Sequence, residues 1–315
     1  MTDVLVVGGV GVDHIVRVPE LPAPFADSVM VPPIRTYVGH TGNGVALGCH
    51  ALGLHTSFVD VVGDDLEGGL IRRTYAEAGL DFTGHVHPSG TRRSVNLVSD
   101  DGRRMSFYDP RHPFDHVPDP SLWGDRLPGT RHVHVSIMNW ARHALTDAIA
   151  AGISTSTDLH DWDGRNDYHR DFALGADLVF VSAAALSDVA ATVHGILEHG
   201  RARAVVVMDG ARGSMLAQRD REWLHVPAVT IEGRPVVDSN GAGDSYVAAF
   251  LARVLAGSPL DEAAVAGSFA GAWACGTAGT HTSFVDKATL NEYLQTHAPT
   301  PSNPGVANNP PQTVD

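Results

Sequence analysis

Cysteine is almost missing from this chain: 315 residues hold two, Cys49 and Cys275, too few for a disulfide framework. Both fall in segments with helical patterning, so packing rather than covalent bridging must hold the fold. Basic charge is short as well. Lys and Arg number 22 against 36 Asp and Glu, a formal net charge of −14. That balance argues against a nucleic-acid or anionic-membrane surface, since both need clustered Lys and Arg. It leaves room for a small anionic ligand, for which one local cradle is enough. No apolar run has the length of a membrane span, and the opening "MTDVLVVGGVGVDHI" has no basic region before its short apolar stretch. Zinc spacing is absent. The 18 histidines are scattered, and the one H-x-x-x-H, His112 to His116, encloses Pro113, which keeps it off a helix face. The glycines of "GGVGVD" (8–13) miss the dinucleotide fingerprint, because Gly9 and Gly11 require a third glycine at the position of His14. What remains is a cytoplasmic, enzyme-sized protein with neither nucleic acid nor membrane as partner.

Hydrophobic residues make up 43% and charged residues 18%, ordinary for a globular chain long enough to bury a large core. Apolar, β-branched runs predict strands at 3–9, 56–63, 131–136, 154–159, 176–182 and 203–209. Helical periods lie between them near 43–52, 66–79, 141–151, 166–173 and 184–199, then at 243–256, 260–275 and 287–296. Buried strands each followed by a helix predict an α/β fold, a mostly parallel sheet covered on both faces. Two regions break the rhythm. Residues 14–39 and 92–109 alternate polar and apolar side chains between Pro, Gly and Asp-Asp-Gly turns. They read as a small antiparallel β-lid over the ligand crevice, with 1–13, 40–91 and 110–298 forming the main domain. The Pro- and Asn-rich end, 299–315, reads as a disordered tail.

The sharpest local pattern is "DSNGAGDSYVAAF" (238–250). Val247, Phe250, Leu251, Val254 and Leu255 define one buried helix face beginning near Asp244. Gly241 and Gly243 sit at its mouth, where backbone N–H groups have no intrahelical partner and the helix dipole favours an anion. The segment is an anion cradle with a carboxylate beside it. Asp13 lies just past the first strand, at the edge where open α/β sheets bind ligands. It is either a hydroxyl-binding acid or a solvated loop acid. Asn43, in "VGHTGNGVALGCHALG" (38–53), is either a helix N-cap or an amide meeting ligand hydroxyls admitted by Gly39 and Gly42. "MDGARG" (208–213) is either a hairpin turn or a phosphate-contacting loop.

In this order, with "GDD" at 63–65, these clusters resemble the ribokinase (PfkB) family of small-molecule kinases over residues 3–296. "DSNGAGDSYVAAF" is close to that family's second signature, and "GHTGNGVALGCHALG" is a looser match to its first. The resemblance implies a ribokinase-like three-layer α/β/α fold and magnesium-dependent transfer of the ATP γ-phosphoryl. It implies Asp244 as base toward a substrate hydroxyl, with the amides around Gly241, Ala242 and Gly243 as anion hole. It implies substrate contacts from Asp13, Gly39 and Asn43, with His40 and Asn139 at neighbouring substrate positions, and nucleotide contacts from Asp209, Gly210, Gly213, Thr277 and Gly279. A monovalent cation such as K⁺ would sit near Asp238, and the lid would form a homodimer interface.

Four departures qualify it. Ser182 and Ala185 stand where the family carries Asn-x-x-Glu to manage magnesium, leaving Asp158, Asp161 and Asp163 as substitutes, with Asp161 the chosen magnesium ligand. Gly11 replaces an Asn of sugar-binding relatives, and His40 a Lys of ribokinase. Met138 and Asn139 stand where a substrate acid follows the lid. The expected substrate is a sugar or sugar derivative other than plain ribose. A nucleoside is the alternative, its base resting in a slot made by Met105, Phe107, Tyr108 and Trp140, residues that otherwise read as lid core. Arg35, Arg92, Arg93, Arg103 and Arg104 read as solvated strand-face charge. A binding-only relative is the third reading.

Overall fold

The computed structural model describes residues 1–100 and 103–296. The tail foreseen at 299–315 and most of the lid turn at 100–102 lie outside them. The chain opens with β1 (Thr2–Val7), β2 (Gly11–Val18), β3 (Arg35–Gly39), α1 (Thr41–Ala51), β4 (Thr56–Val62), α2 (Leu66–Ala78) and β5 (Asp81–Val86). Next come β6 (Arg93–Ser99), β7 (Arg104–Asp109), α3 (Ser121–Gly124), β8 (Thr130–Val135), α4 (Ala141–Ala150) and β9 (Ser154–Asp158). It continues through α5 (Arg170–Gly175), β10 (Leu178–Ser182), α6 (Val189–His199), β11 (Ala204–Met208), β12 (Ser214–Gln218) and β13 (Leu224–Val226). Three helices close it: α7 (Ala242–Leu255), α8 (Leu260–Cys275) and α9 (Lys287–Thr296).

The large sheet runs β13-β12-β11-β10-β9-β8-β1-β4-β5. From β11 to β5 its pairs are parallel, and the β11–β12–β13 edge is antiparallel. Strand alternation divides the core in two. Val4 and Val6 join the cluster beneath α1, α7 and α8, while Leu5 and Val7 join the one beneath α4, α5 and α6. All four are fully buried, and each such side chain contributes about 1.5–3 kcal/mol of hydrophobic stabilisation. This is the three-layer α/β/α arrangement foreseen. The antiparallel edge strands β12 and β13 and the outer strand β5 are additional to the strands read from sequence.

The small sheet runs β3-β2-β6-β7. Its outer pairs are antiparallel, and its central pair, β2 with β6, is parallel. It takes in Gly11, Val12 and Asp13, which the sequence reading left in the main domain. Between β2 and β3 the chain is irregular. Because β2 leaves the end of β1 after three residues, the small sheet roofs the carboxyl edge of the large one. That edge is where α7 begins.

Candidate active site

α7 starts at Gly241, whose φ of 77° is left-handed and whose position carries no side-chain cap. A Cβ there would lie 2.6 Å from the His281 ring, so glycine is required twice over, by conformation and by space. The first-turn N–H groups of Gly243 and Asp244 are by position without intrahelical acceptors. Gly241 and Asp244 face a cleft of about 540 Å³ that also meets Asp13, His40 and Asn139. The structure thus brings together five of the residues singled out from sequence. Gly39 and Asn43 do not line this cleft.

Asn43 is not the cap of α1 either. The helix begins at Thr41, with His40 preceding it, and Asn43 is fully buried. Its Nδ2 donates to the Val38 carbonyl (3.1 Å) and to His281 Nδ1 (2.9 Å), while its Oδ1 accepts from the Tyr75 hydroxyl (2.8 Å). Burial, aided by the charge of Asp60, pushes Tyr75 well above the ordinary phenol range, so the hydroxyl remains a donor. His281 Nε2 in turn lies 2.7 Å from Asp244 Oδ2. Sequence reading missed His281 entirely. It lies in "GTHTSF" with no motif around it, 37 positions from Asp244 and 238 from Asn43.

The roof contributes one face of β2, β6 and β7. Asp13 pairs with Ser94 across β2 and β6, and Ser94 and Asn96 pair with Tyr108 and Ser106 across β6 and β7; all five line the cleft. Asp13 is buried rather than a solvated loop acid. Burial by itself would raise its pKa, but hydrogen bonds from His40 and Asn96 and the field of His40 outweigh that and hold it below the usual carboxylate range. It is an anchored anion suited to accepting ligand hydroxyls. Two of the sequence departures are coupled here. A Cβ on Gly11 would fall 2.2 Å from the His40 ring, so the glycine makes space for the histidine.

Two further arginines tie the roof to the turn before α7. Arg104 Nη1 donates to Asn240 Oδ1 (2.8 Å), and Arg17 Nη2 to Asp238 Oδ2 (3.2 Å). Arg104 is therefore engaged rather than merely solvated. So is Arg92, which is buried and ion-paired with the fully buried Asp60, its Nε donating to the Val10 carbonyl. Arg93 pairs with Glu67 at 2.8 Å. The reading of Met105, Phe107 and Tyr108 as lid core is also corrected. They are 46%, 54% and 51% exposed, and only Tyr108 faces the cleft, joined there by Trp140, Phe114 and Tyr168. Asn139 lines the cleft but spends an Nδ2 donor on the Phe114 carbonyl (2.6 Å).

The remaining predicted positions lie away from this cleft. Asp209, Gly210 and Gly213 form the tight β11–β12 connection, with Asp209 held by both Arg212 nitrogens at 2.6 and 2.7 Å. Thr277 Oγ1 accepts from Arg234 Nη2 (2.9 Å). The Gly279 N–H donates to Asp238 Oδ2 (3.2 Å), and the Asn240 N–H to Asp238 Oδ1 (3.1 Å). Asp238 therefore has both oxygens occupied and a guanidinium alongside. The guanidinium alongside disfavours a monovalent cation on this carboxylate, against the K⁺ expectation. The magnesium expectation needs a different acid. Asp161 is exposed and outside the cleft lining. Asp158, at the carboxyl end of β9, is likewise outside the cleft lining but buried. Burial and the charge of Asp244 push its pKa up, against the opposing effect of His160. A carboxylate made costlier to ionise by burial and by a neighbouring acid is one on which a hard divalent cation would be favoured. Ser182 receives only the Ala184 N–H (3.2 Å), and Ala185 offers no ligand.

Comparison with known proteins bears on this arrangement. Residues 171–288 match the pfkB family of carbohydrate kinases. The chain is 47% identical to the acarbose 7(IV)-phosphotransferase of an Actinoplanes species, over 92% of its own length and 97% of that protein's. The solved structure of a microbiome-derived acarbose kinase, Mak1, matches with a TM-score of 0.89 and 62% identity, covering 94% of this chain and 99% of that one. Ribokinase from Giardia lamblia matches with a TM-score of 0.82 at 18% identity, covering 93% and 98%, a likeness of fold.

Proposed function

Since the chain belongs to the PfkB family of carbohydrate kinases and transfers phosphoryl from ATP to a sugar hydroxyl, we propose that its acceptor is acarbose or a close analogue, with Asp244 as base. The observation that carries the residue roles is that Asp244 and the open N-terminus of α7 face one roofed cleft. The similarity to two acarbose-phosphorylating proteins carries the substrate. The cleft supports it: 540 Å³ is the size of a site for a multi-ring ligand, and Tyr108, Phe114, Trp140 and Tyr168 offer apolar ring faces against which sugar C–H surfaces pack.

In this reading Asp13 and Asn96 hold acceptor hydroxyls, and Asp244 orients the reacting one. The acceptor oxygen bonds to the γ-phosphorus as the bridge to the β-phosphate breaks. ADP departs with that electron pair, and the hydroxyl proton passes to Asp244. The transferring group keeps its charge on equatorial oxygens throughout, so preorganised amides at α7 stabilise it without rearranging. Magnesium bound with the nucleotide phosphates would neutralise developing charge, and Asp158 is the residue to hold it. The β11–β12 turn and the Thr277–Gly279 segment form the nucleotide side. The reaction takes place in the cytoplasm, where ATP is supplied. Val95, Met105 and Phe107, exposed on the roof's outer face, form the contact for a second copy of the chain.

An ADP-release assay with magnesium and a panel of acarbose, maltose, glucose, ribose, inosine and adenosine tests the substrate. The expected result is a kcat/KM for acarbose well above all others. A nucleoside or ribose turned over more efficiently than acarbose overturns it.

A further inference from the structure

We infer that His281 is a positioning residue that holds the catalytic carboxylate in one rotamer and leaves only Oδ1 free to take the substrate proton. This rests on Asp244 being the base. The Val38 carbonyl can only accept a hydrogen bond. The Asn43 atom facing it at 3.1 Å is therefore the amide nitrogen. The same nitrogen faces His281 Nδ1 at 2.9 Å, so Nδ1 accepts, and the proton of the neutral ring is on Nε2. Nε2–H then donates to Asp244 Oδ2 at 2.7 Å. Tyr75, bonded to Asn43 Oδ1 at 2.8 Å, fixes the amide in that orientation.

Three other observations show that the fold is shaped around this ring. A Cβ on Gly44 would lie 2.3 Å from His281 Nε2 and 2.5 Å from the Asp244 Cβ, and one on Gly241 would lie 2.6 Å from His281 Cδ2. Two helix starts thus lack side chains where the imidazole sits. His281 itself has φ of 55°, a left-handed conformation that glycine takes freely and histidine adopts at a cost. Its side chain is 2% exposed, yet it reaches the cleft wall beside Asp244.

The wiring also defines what His281 does not do. With Nε2 already protonated and Nδ1 occupied by Asn43, the ring has no vacant site to receive a proton from Asp244. It is no relay. Among the described residues no donor reaches Asp244 Oδ1, and that oxygen is the one left for the acceptor hydroxyl. Misplacing a reacting group by about an ångström costs on the order of 10²-fold in rate, the scale expected when this clamp is lost.

Two measurements test it. Long-range ¹H–¹⁵N spectra of the wild-type protein, with the His281 signals assigned by their loss in His281→Gln, should show an unprotonated Nδ1 and a protonated Nε2. A protonated Nδ1 with a bare Nε2 overturns the inference. In steady-state kinetics, His281→Ala should lower kcat on the order of 10²-fold with the sugar KM nearly unchanged, and His281→Gln, which keeps an N–H donor, should recover most of it. An unchanged kcat in His281→Ala, or a loss confined to KM, overturns it. Asp244→Asn separates the two levels. Full turnover in that variant refutes the base assignment itself, whereas an inactive Asp244→Asn beside a fully active His281→Ala refutes only the role of His281.

Discussion

Two glycine-rich helix starts lie side by side in this molecule, and they do opposite things. At α1 the sequence "GHTGNG" brings a polar side chain, Asn43, into the helix's first turn. At α7 "GAGD" brings Asp244. Both are buried and both belong to signatures of the same family, yet Asn43 faces inward to Val38, Tyr75 and His281, while Asp244 reaches the cleft. The difference lies in what stands opposite. Asn43 meets a backbone carbonyl, a phenol and an imidazole that together use its amide completely. Asp244 meets one imidazole and keeps an oxygen for the acceptor. His281 joins the two, so the α1 signature serves the reaction at one remove.

The largest expected effect comes at the α7 start. Asp244→Asn should lower kcat about 10²–10⁴-fold, the usual contribution of a positioned base, with the melting temperature little changed; calorimetry and turnover on one preparation check both parts. Gly44→Ala comes next. Its methyl would intrude between the two helix starts, and overpacking of this kind costs about 1–3 kcal/mol. Both thermal stability and kcat should fall, while Gly69→Ala, in α2 with open space around it, should leave kcat alone. Asn43→Ala should destabilise by about 1–3 kcal/mol, the penalty for stranding buried partners, and its effect on kcat should vanish in a His281→Ala background. If the two losses in kcat simply add, the helix starts are not linked through His281. The smallest effect belongs to a turn outside the comparison. Arg212→Ala breaks an exposed ion pair with Asp209, of a kind that contributes little in water, and should leave chemical denaturation midpoints almost where they were.

The same contrast shows why some of this was legible in the sequence and some was not. Period and composition placed most strands and helices and the alternation of the roof, because burial imposes those patterns locally; the edge strands β5, β12 and β13 escaped them. α7 begins within a residue of its expected start, since an anion-binding helix mouth needs glycines that can be counted. Neither reading of Asn43, cap or hydroxyl-binding amide, foresaw its inward bonds, because the residues it bonds, apart from Val38, are remote in sequence. Arg92 was misread as solvated because nothing near it announces Asp60, which strand pairing brings from 32 positions earlier. Magnesium was given to Asp161 on spacing alone, which cannot tell that Asp161 is exposed while Asp158, the acid we propose instead, is buried and feels the charge of Asp244. His281 was invisible for the plainest reason: one histidine among eighteen, marked only by the glycines that leave space for it.

The arginines that join the small sheet to residues 238–240 have one more consequence. They fasten the door to its own lock. Opening the small sheet away from α7 would part Arg17 from Asp238 and Arg104 from Asn240. If the mouth of α7 receives the phosphoryl group as proposed, an opened roof would also loosen the loop that leads into it.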